Sequence, residues 1–219
     1  MAMGRILKGA ALATLFAGGA MAASAPTPRL HPVKAYTIIY RLEGRMTGTE
    51  TEHSDAYGYR RAVLSRTELR AAGRVVTANT RSYTIGDTTV TIDFAAGTAS
   101  RIRNPLYDRI AARMATEKAE DFGLRMIRAM GYRPTGARKT IAGETCAVWK
   151  GPTGETCFTS DALSLEVKTT LAGMSITRTA VQVRRGDPGP ASVYQPDARY
   201  PVTDVGDITA RLRALRKGQ

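Results

Sequence analysis

Residues 35–44 read AYTIIYRLEG. Tyr36, Ile38, Tyr40 and Leu42 fall on one side of an extended chain, and Thr37, Ile39, Arg41 and Glu43 on the other. A two-residue period with one apolar side is the pattern of a half-buried strand. The same alternation returns in LSLEVKTTL, residues 163–171, with Leu163, Leu165, Val167, Thr169 and Leu171 on one side. Between them, residues 56–70 and 74–85 read as weaker strands separated by glycines. TTVTIDF puts Val90, Ile92 and Phe94 on one face before Ala96-Gly97 turns into TASRI. Neighbouring strands joined by short turns give an antiparallel sheet.

The period changes at Asn104-Pro105, a capping residue before a proline suited to the first helical position. Leu106, Ile110, Met114, Ala119, Phe122, Met126 and Met130 then recur at helical steps, and Gly131 ends the run. This predicts one long amphipathic helix, or two in tandem divided near Gly123, laid on the sheet. A proline-rich run, DPGPASVYQPDARYPV, is too proline-dense for a central strand. From Asp204, Val205, Ile208, Leu212 and Leu215 predict a short basic C-terminal helix.

Cys146 and Cys157, the chain's two cysteines, flank the turn Gly-Pro-Thr-Gly in TCAVWKGPTGETCFT. With a two-residue loop at Gly151-Pro152 they lie directly opposite. With a four-residue loop Cys157 faces Val148, and closing a bond needs a bulge or a shift. The chain begins with Arg5 and Lys8, an apolar run from Ala10 to Ala20, and a small-x-small site at Ala20-Met21-Ala22, the layout of a cleaved export signal. Exported cysteines usually pair, so a structural disulfide is the leading reading, ahead of free thiols or a Cys–His centre. Closing so short a loop stabilises by roughly 3 kcal/mol on the chain-entropy model. The organisation expected is signal peptide 1–22, linker 23–34, one domain 35–203 and a basic tail 204–219, in a periplasmic or secreted protein without a lipid anchor.

Net charge is +13, carried mostly by arginine. Such charge favours anionic partners. Two readings stand: a solvated basic surface, or a patch for an anionic membrane surface. No aromatic-interleaved basic platform points to nucleic acid. No G-x-S-x-G, phosphate loop or metal-ligand spacing is present. Glu50 and Glu52 beside His53 read as a polar edge rather than a metal site. Neither a cofactor nor a catalytic residue is expected, and the protein reads as a non-enzyme.

Three stretches carry a resemblance: GETCAVWKGPTGETCFTSDALSLEVKT, TIDFAAGTASRIRNP and SVYQPDARYPV. Together they resemble the superfamily of bacterial outer-membrane lipoprotein carriers, and within it an exported family of unknown function. The resemblance implies a strongly curved antiparallel sheet, an unclosed barrel, with helices packed on its hollow face. In the carriers that hollow receives acyl chains. The expected function is therefore a soluble exported protein binding a lipid or amphipathic ligand in this hollow. The candidate walls are Tyr36, Ile38, Tyr40 and Leu42 on one side and Leu163, Leu165 and Val167 on the other. The alternative is an envelope interaction module with a packed core and no small ligand.

Overall fold

Tyr36–Gly44 folds as strand β1 and lies near the middle of a single sheet of twelve strands in the computed structural model. The structure describes residues 27–71, 73–171 and 174–207; the expected signal peptide and the tail beyond 207 lie outside them. After β1 come β2 (Met46–Asp55), β3 (Arg60–Ala71), β4 (Arg74–Ile85), β5 (Thr88–Asp93) and β6 (Thr98–Arg103). Two helices follow, α1 (Tyr107–Met114) and α2 (Ala119–Ala129). Then come β7 (Arg133–Ile141), β8 (Glu144–Gly151), β9 (Gly154–Phe158), β10 (Ser164–Leu171), β11 (Met174–Arg185), a 3₁₀ turn (Ala191–Tyr194) and β12 (Val202–Asp207). The strand order is β12-β6-β5-β4-β3-β2-β1-β11-β10-β9-β8-β7. Two meanders thus meet where β1 pairs with β11.

Residues opposite one another in a ladder share a face, so the register fixes which face each core uses. Tyr36, Ile38 and Tyr40 share theirs with Ser54, Glu52 and Glu50 of β2. Tyr36, Ile38 and Tyr40 belong to one core with Leu163, Leu165, Ala180 and the two cysteines. Thr37 shares the other face with His53, Ala62 and Tyr83. There Ala62, Tyr83, Val90, Ile92 and Ala99 form a second core, capped by Val193 and Tyr194. The two cores therefore meet β1 from opposite sides, and β1 is buried on both.

The second core is covered by the segment between β11 and β12. Arg81 donates from Nη1 and Nη2 to the Ser192 and Gln195 carbonyls. Tyr194 donates to the Pro188 carbonyl at 2.7 Å, and Phe94 meets Tyr200 edge to face. The proline-dense run is thus a strap, as its missing N–H groups require. Beneath it, Thr37 Oγ1 donates to the Asp187 carbonyl, so His53 Nδ1, 2.8 Å from the same hydroxyl, is the donor to Thr37.

These features overturn the expected fold class. The sheet is mixed, because the strap delivers β12 parallel to β6. No single hollow face exists, since the cores lie on opposite faces. In place of a long packed helix there are two short ones, separated at residues 115–118 rather than at Gly123. Only Met114 of α1 is buried and no residue of α2 is, so the helices do not fill a hollow. Residues 204–207 continue β12 as strand; the remainder of the expected C-terminal helix lies outside the described residues.

Candidate functional site

Glu52 is the most heavily partnered buried acid of the sheet. Its strand, β2, is read from sequence as a polar edge, yet it lies between β1 and β3 with Glu52 only 5% exposed. Oε1 accepts from Tyr36 Oη at 2.9 Å and Arg61 Nε at 3.0 Å. Oε2 accepts from Arg178 Nη2 at 3.1 Å and forms an ion pair with Arg61 Nη2 at 3.0 Å. Arg178 also reaches Glu50 through Nε at 2.6 Å, and its guanidinium carbon sits 3.3 Å from the centre of the Tyr40 ring. Burial by itself would raise the Glu52 pKa, but Arg61, Arg178 and the Tyr36 hydroxyl outweigh it and hold it at about 2. The carboxylate is therefore ionised near neutrality and held by two guanidinium groups and the Tyr36 hydroxyl.

Above this cluster is a cleft of ≈ 420 Å³ whose lining includes His31, Tyr36, Tyr40, Ser54, Arg61 and Arg178. His31 packs against Tyr36 with ring centres 5.2 Å apart and accepts the Val33 N–H at Nδ1. Burial lowers the pKa of His31 and, on the other face, of His53. Tyr40 Oη donates to the Ser164 carbonyl at 2.9 Å, tying β1 to β10.

A second, apolar site lies along α2. One cleft of ≈ 310 Å³ runs between Leu124 and Ile127 of the helix and Trp149 and Phe158 of the sheet. Another, of ≈ 330 Å³, shares Ile127 and Phe158 and adds Met130, Tyr132 and Val167. Leu124, Met126 and Met130 remain 39%, 45% and 56% exposed.

The candidate wall residues divide accordingly. Tyr36, Ile38, Tyr40, Leu163 and Leu165 are brought together in the first core, and Leu42 is buried on the same strand face. Val167 stands apart, half-buried beneath α2. Cys146 and Cys157 form a disulfide with Cα atoms 5.4 Å apart. Val148 is the residue opposite Cys157, as the longer-loop register requires, and the bond closes on the diagonal without a register shift between β8 and β9. Strand twist brings that diagonal within reach. Among the described residues no group of three or more His, Cys, Asp or Glu could hold a metal ion, and no described helix is long and apolar enough to cross a membrane.

Glu52, Arg61 and Arg178 escape sequence reading as a set. Glu52 and Arg178 are 126 positions apart, and no local pattern joins them. The one available signal is a pair of acids at a two-residue step, Glu50 and Glu52, on what proves to be the buried side of β1's neighbour.

No protein-family model matches the chain, and no curated protein matches it. The likeness to lipoprotein carriers thus rests on the quoted stretches alone. Among solved structures, the chain is similar to an uncharacterized conserved protein from Thermus thermophilus, with TM-score 0.51 and 7% identity over 78% of this chain and 90% of that one. It is more weakly similar to PNGF-II, with TM-score 0.43 and 12% identity over 84% of this chain and 33% of that one. A chain of the Pseudomonas aeruginosa MucA/MucB complex gives TM-score 0.43 and 15% identity over 78% of this chain and 58% of that one. At 7% identity the first is a likeness of fold alone; the other two reach only part of those chains.

Proposed function

We propose that the protein is an exported, non-enzymatic interaction module of the bacterial envelope. It captures an apolar, acid-flanked segment of a protein partner along α2. The observation that carries this reading is α2 itself, an amphipathic helix that buries none of its residues and leaves Leu124, Met126 and the adjoining Met130 outside. Contiguous exposed apolar surface with a polar rim marks interaction sites. Glu120 and Asp121 lie at the start of α2, but toward Met130 the rim is basic: Arg128, Arg133 and Arg138 are all exposed, which favours acidic flanks on the partner. The disulfide suits an oxidising compartment. Packing of Tyr36, Ile38, Leu163 and Leu165 into one core supports a partner on the outside over an acyl chain on the inside.

A photoreactive residue placed at Met126 or at Met130 tests this in cells. The expected result is one discrete adduct with an envelope protein, lost when Arg133 and Arg138 are both changed to Glu and absent from a probe at Thr49. The reading is overturned if no adduct forms at either helix position. It is also overturned if detergent-free protein yields a stoichiometric lipid in organic extracts, which would restore the carrier reading.

A further inference from the structure

We infer that the cleft over Glu52 binds a small organic molecule through an oxyanion, a carboxylate or a phosphate. Glu52 accepts hydrogen bonds from Tyr36 and Arg61 on Oε1 and from Arg178 on Oε2, and Oε2 also pairs with Arg61 Nη2 at 3.0 Å, so its charge is met by two guanidinium groups. The Tyr40 hydroxyl hydrogen is engaged by the Ser164 carbonyl. What the cleft has left is donor capacity. Glu52 engages Nε and Nη2 of Arg61 and Nη2 of Arg178, and Glu50 takes Nε of Arg178. Nη1 of each guanidinium is outside these bonds.

Two hydroxyls add to this. Ser54 is 1% exposed, lines the cleft, and its Oγ has no hydrogen-bond partner among the described residues. The Oγ of Ser164, also buried and also in the lining, has none either. Buried hydroxyls are almost always satisfied in native proteins, so two orphans facing one cleft call for a bound acceptor. They sit on β2 and β10, on opposite sides of β1, as a bridging ligand requires. The cleft, at ≈ 420 Å³, is within the roughly 300–1,000 Å³ range of small-molecule sites and far roomier than a lone ion needs. The rings of Tyr36 and Tyr40 supply an apolar wall for the rest of the molecule. Because Glu52 is already paired with Arg61 and Arg178, the cleft has little to offer a cation.

The test is an NMR titration of the purified protein with benzoate, phenyl phosphate and the neutral analogue benzamide. Benzoate and phenyl phosphate distinguish the two headgroups. We expect saturable shifts at the amides of Ser54, Gly58 and Ser164 with at least one oxyanion, with a Kd below about 10 mM, and binding at least about tenfold weaker for benzamide. Ser54→Ala with Ser164→Ala should weaken the oxyanion by about tenfold while the unfolding midpoint is kept, since removing an orphan hydroxyl strands no partner. Absence of saturation with both oxyanions, or equal binding of benzamide, overturns the inference. Equal affinity in the double variant also overturns it, as the signature of an adventitious ion only.

Discussion

Replacing Glu52 by Gln probes the centre of the sheet. In the folded protein burial pushes this carboxyl up, and Arg61, Arg178 and Tyr36 more than reverse that, from an ordinary 4.5 to about 2. At roughly 1.4 kcal/mol per pH unit, the gap is worth about 3 kcal/mol. The sign follows from which state binds the proton first. As pH falls, the unfolded chain protonates near 4.5 while the folded one stays ionised until about 2. The stabilisation is therefore complete above 4.5 and is lost as pH falls toward 2. Asp87, Glu155, Asp161 and Asp197 are also lowered, so the wild type alone loses more than this. The difference between wild type and Glu52→Gln isolates the one group. At neutral pH the variant leaves Arg178, largely buried, and Arg61, half exposed, short of a partner; breaking a fully buried pair costs about 3–5 kcal/mol, and exposure of Arg61 reduces its share. Glu50 still holds Arg178, which places the expectation at the lower end. Urea unfolding followed by the fluorescence of buried Trp149, the one tryptophan, reads the difference. It should be about 3 kcal/mol at neutral pH and shrink steadily below 4.5. A difference that stays constant with pH would refute the assignment of a buried, low-pKa carboxylate.

Changing both Cys146 and Cys157 to Ser opens a link between residues 11 apart and should lower unfolding free energy by about 3 kcal/mol, with no further loss on adding reductant. Gly189→Ala drives a Cβ into His53 Nδ1, well inside van der Waals contact, at a backbone φ of +73°. The expected cost is about 1–3 kcal/mol, with faster proteolysis of the strap between Asp187 and Val202; an unchanged midpoint would remove His53 from beneath the strap. Leu165→Ala, at 0% exposure, should cost about 2–5 kcal/mol in thermal or urea unfolding. Met130→Glu, at the exposed end of α2, should cost under about 0.5 kcal/mol yet abolish partner crosslinking.

Strand β1 is legible in the sequence because its alternation is local and its apolar side is continuous from Tyr36 to Leu42. The cysteine hairpin is legible because Gly-Pro-Thr-Gly sets the turn, but its register is not, since two loop lengths fit the sequence and only the pairing of Val148 with Cys157 decides between them. Strand β2 is not, since its buried residues Glu52, His53 and Ser54 look solvent-facing until Arg61 and Arg178 are brought to Glu52 by other strands. Strand β7 escapes for the opposite reason. It is an exposed edge with Pro134 and Gly136, and nothing apolar marks it until Ile141. The helical period runs across residues 106–130, but Thr116-Glu117-Lys118 carries no apolar anchor, and the helix breaks there. Asn104 does bond the Leu106 N–H, but as a turn that precedes α1 rather than as its cap. The use of opposite faces by the two cores is beyond sequence reading, because alternation tells which residues go together and not toward which side of the molecule they point.

A sheet with one strand buried on both faces is unequally tolerant of changes in chain length. One residue inserted into β1 would carry Tyr36, Ile38 and Tyr40 to the side where Thr37 meets His53 and the strap, and would bring Thr37 into the aliphatic core. Both cores would be damaged by a single codon. The same insertion in β7, most of whose residues face water and whose pairing already skips between Pro134 and Arg138, displaces little. Length variation among proteins sharing this architecture should therefore collect at the sheet's outer strand and leave its seventh strand, β1, untouched.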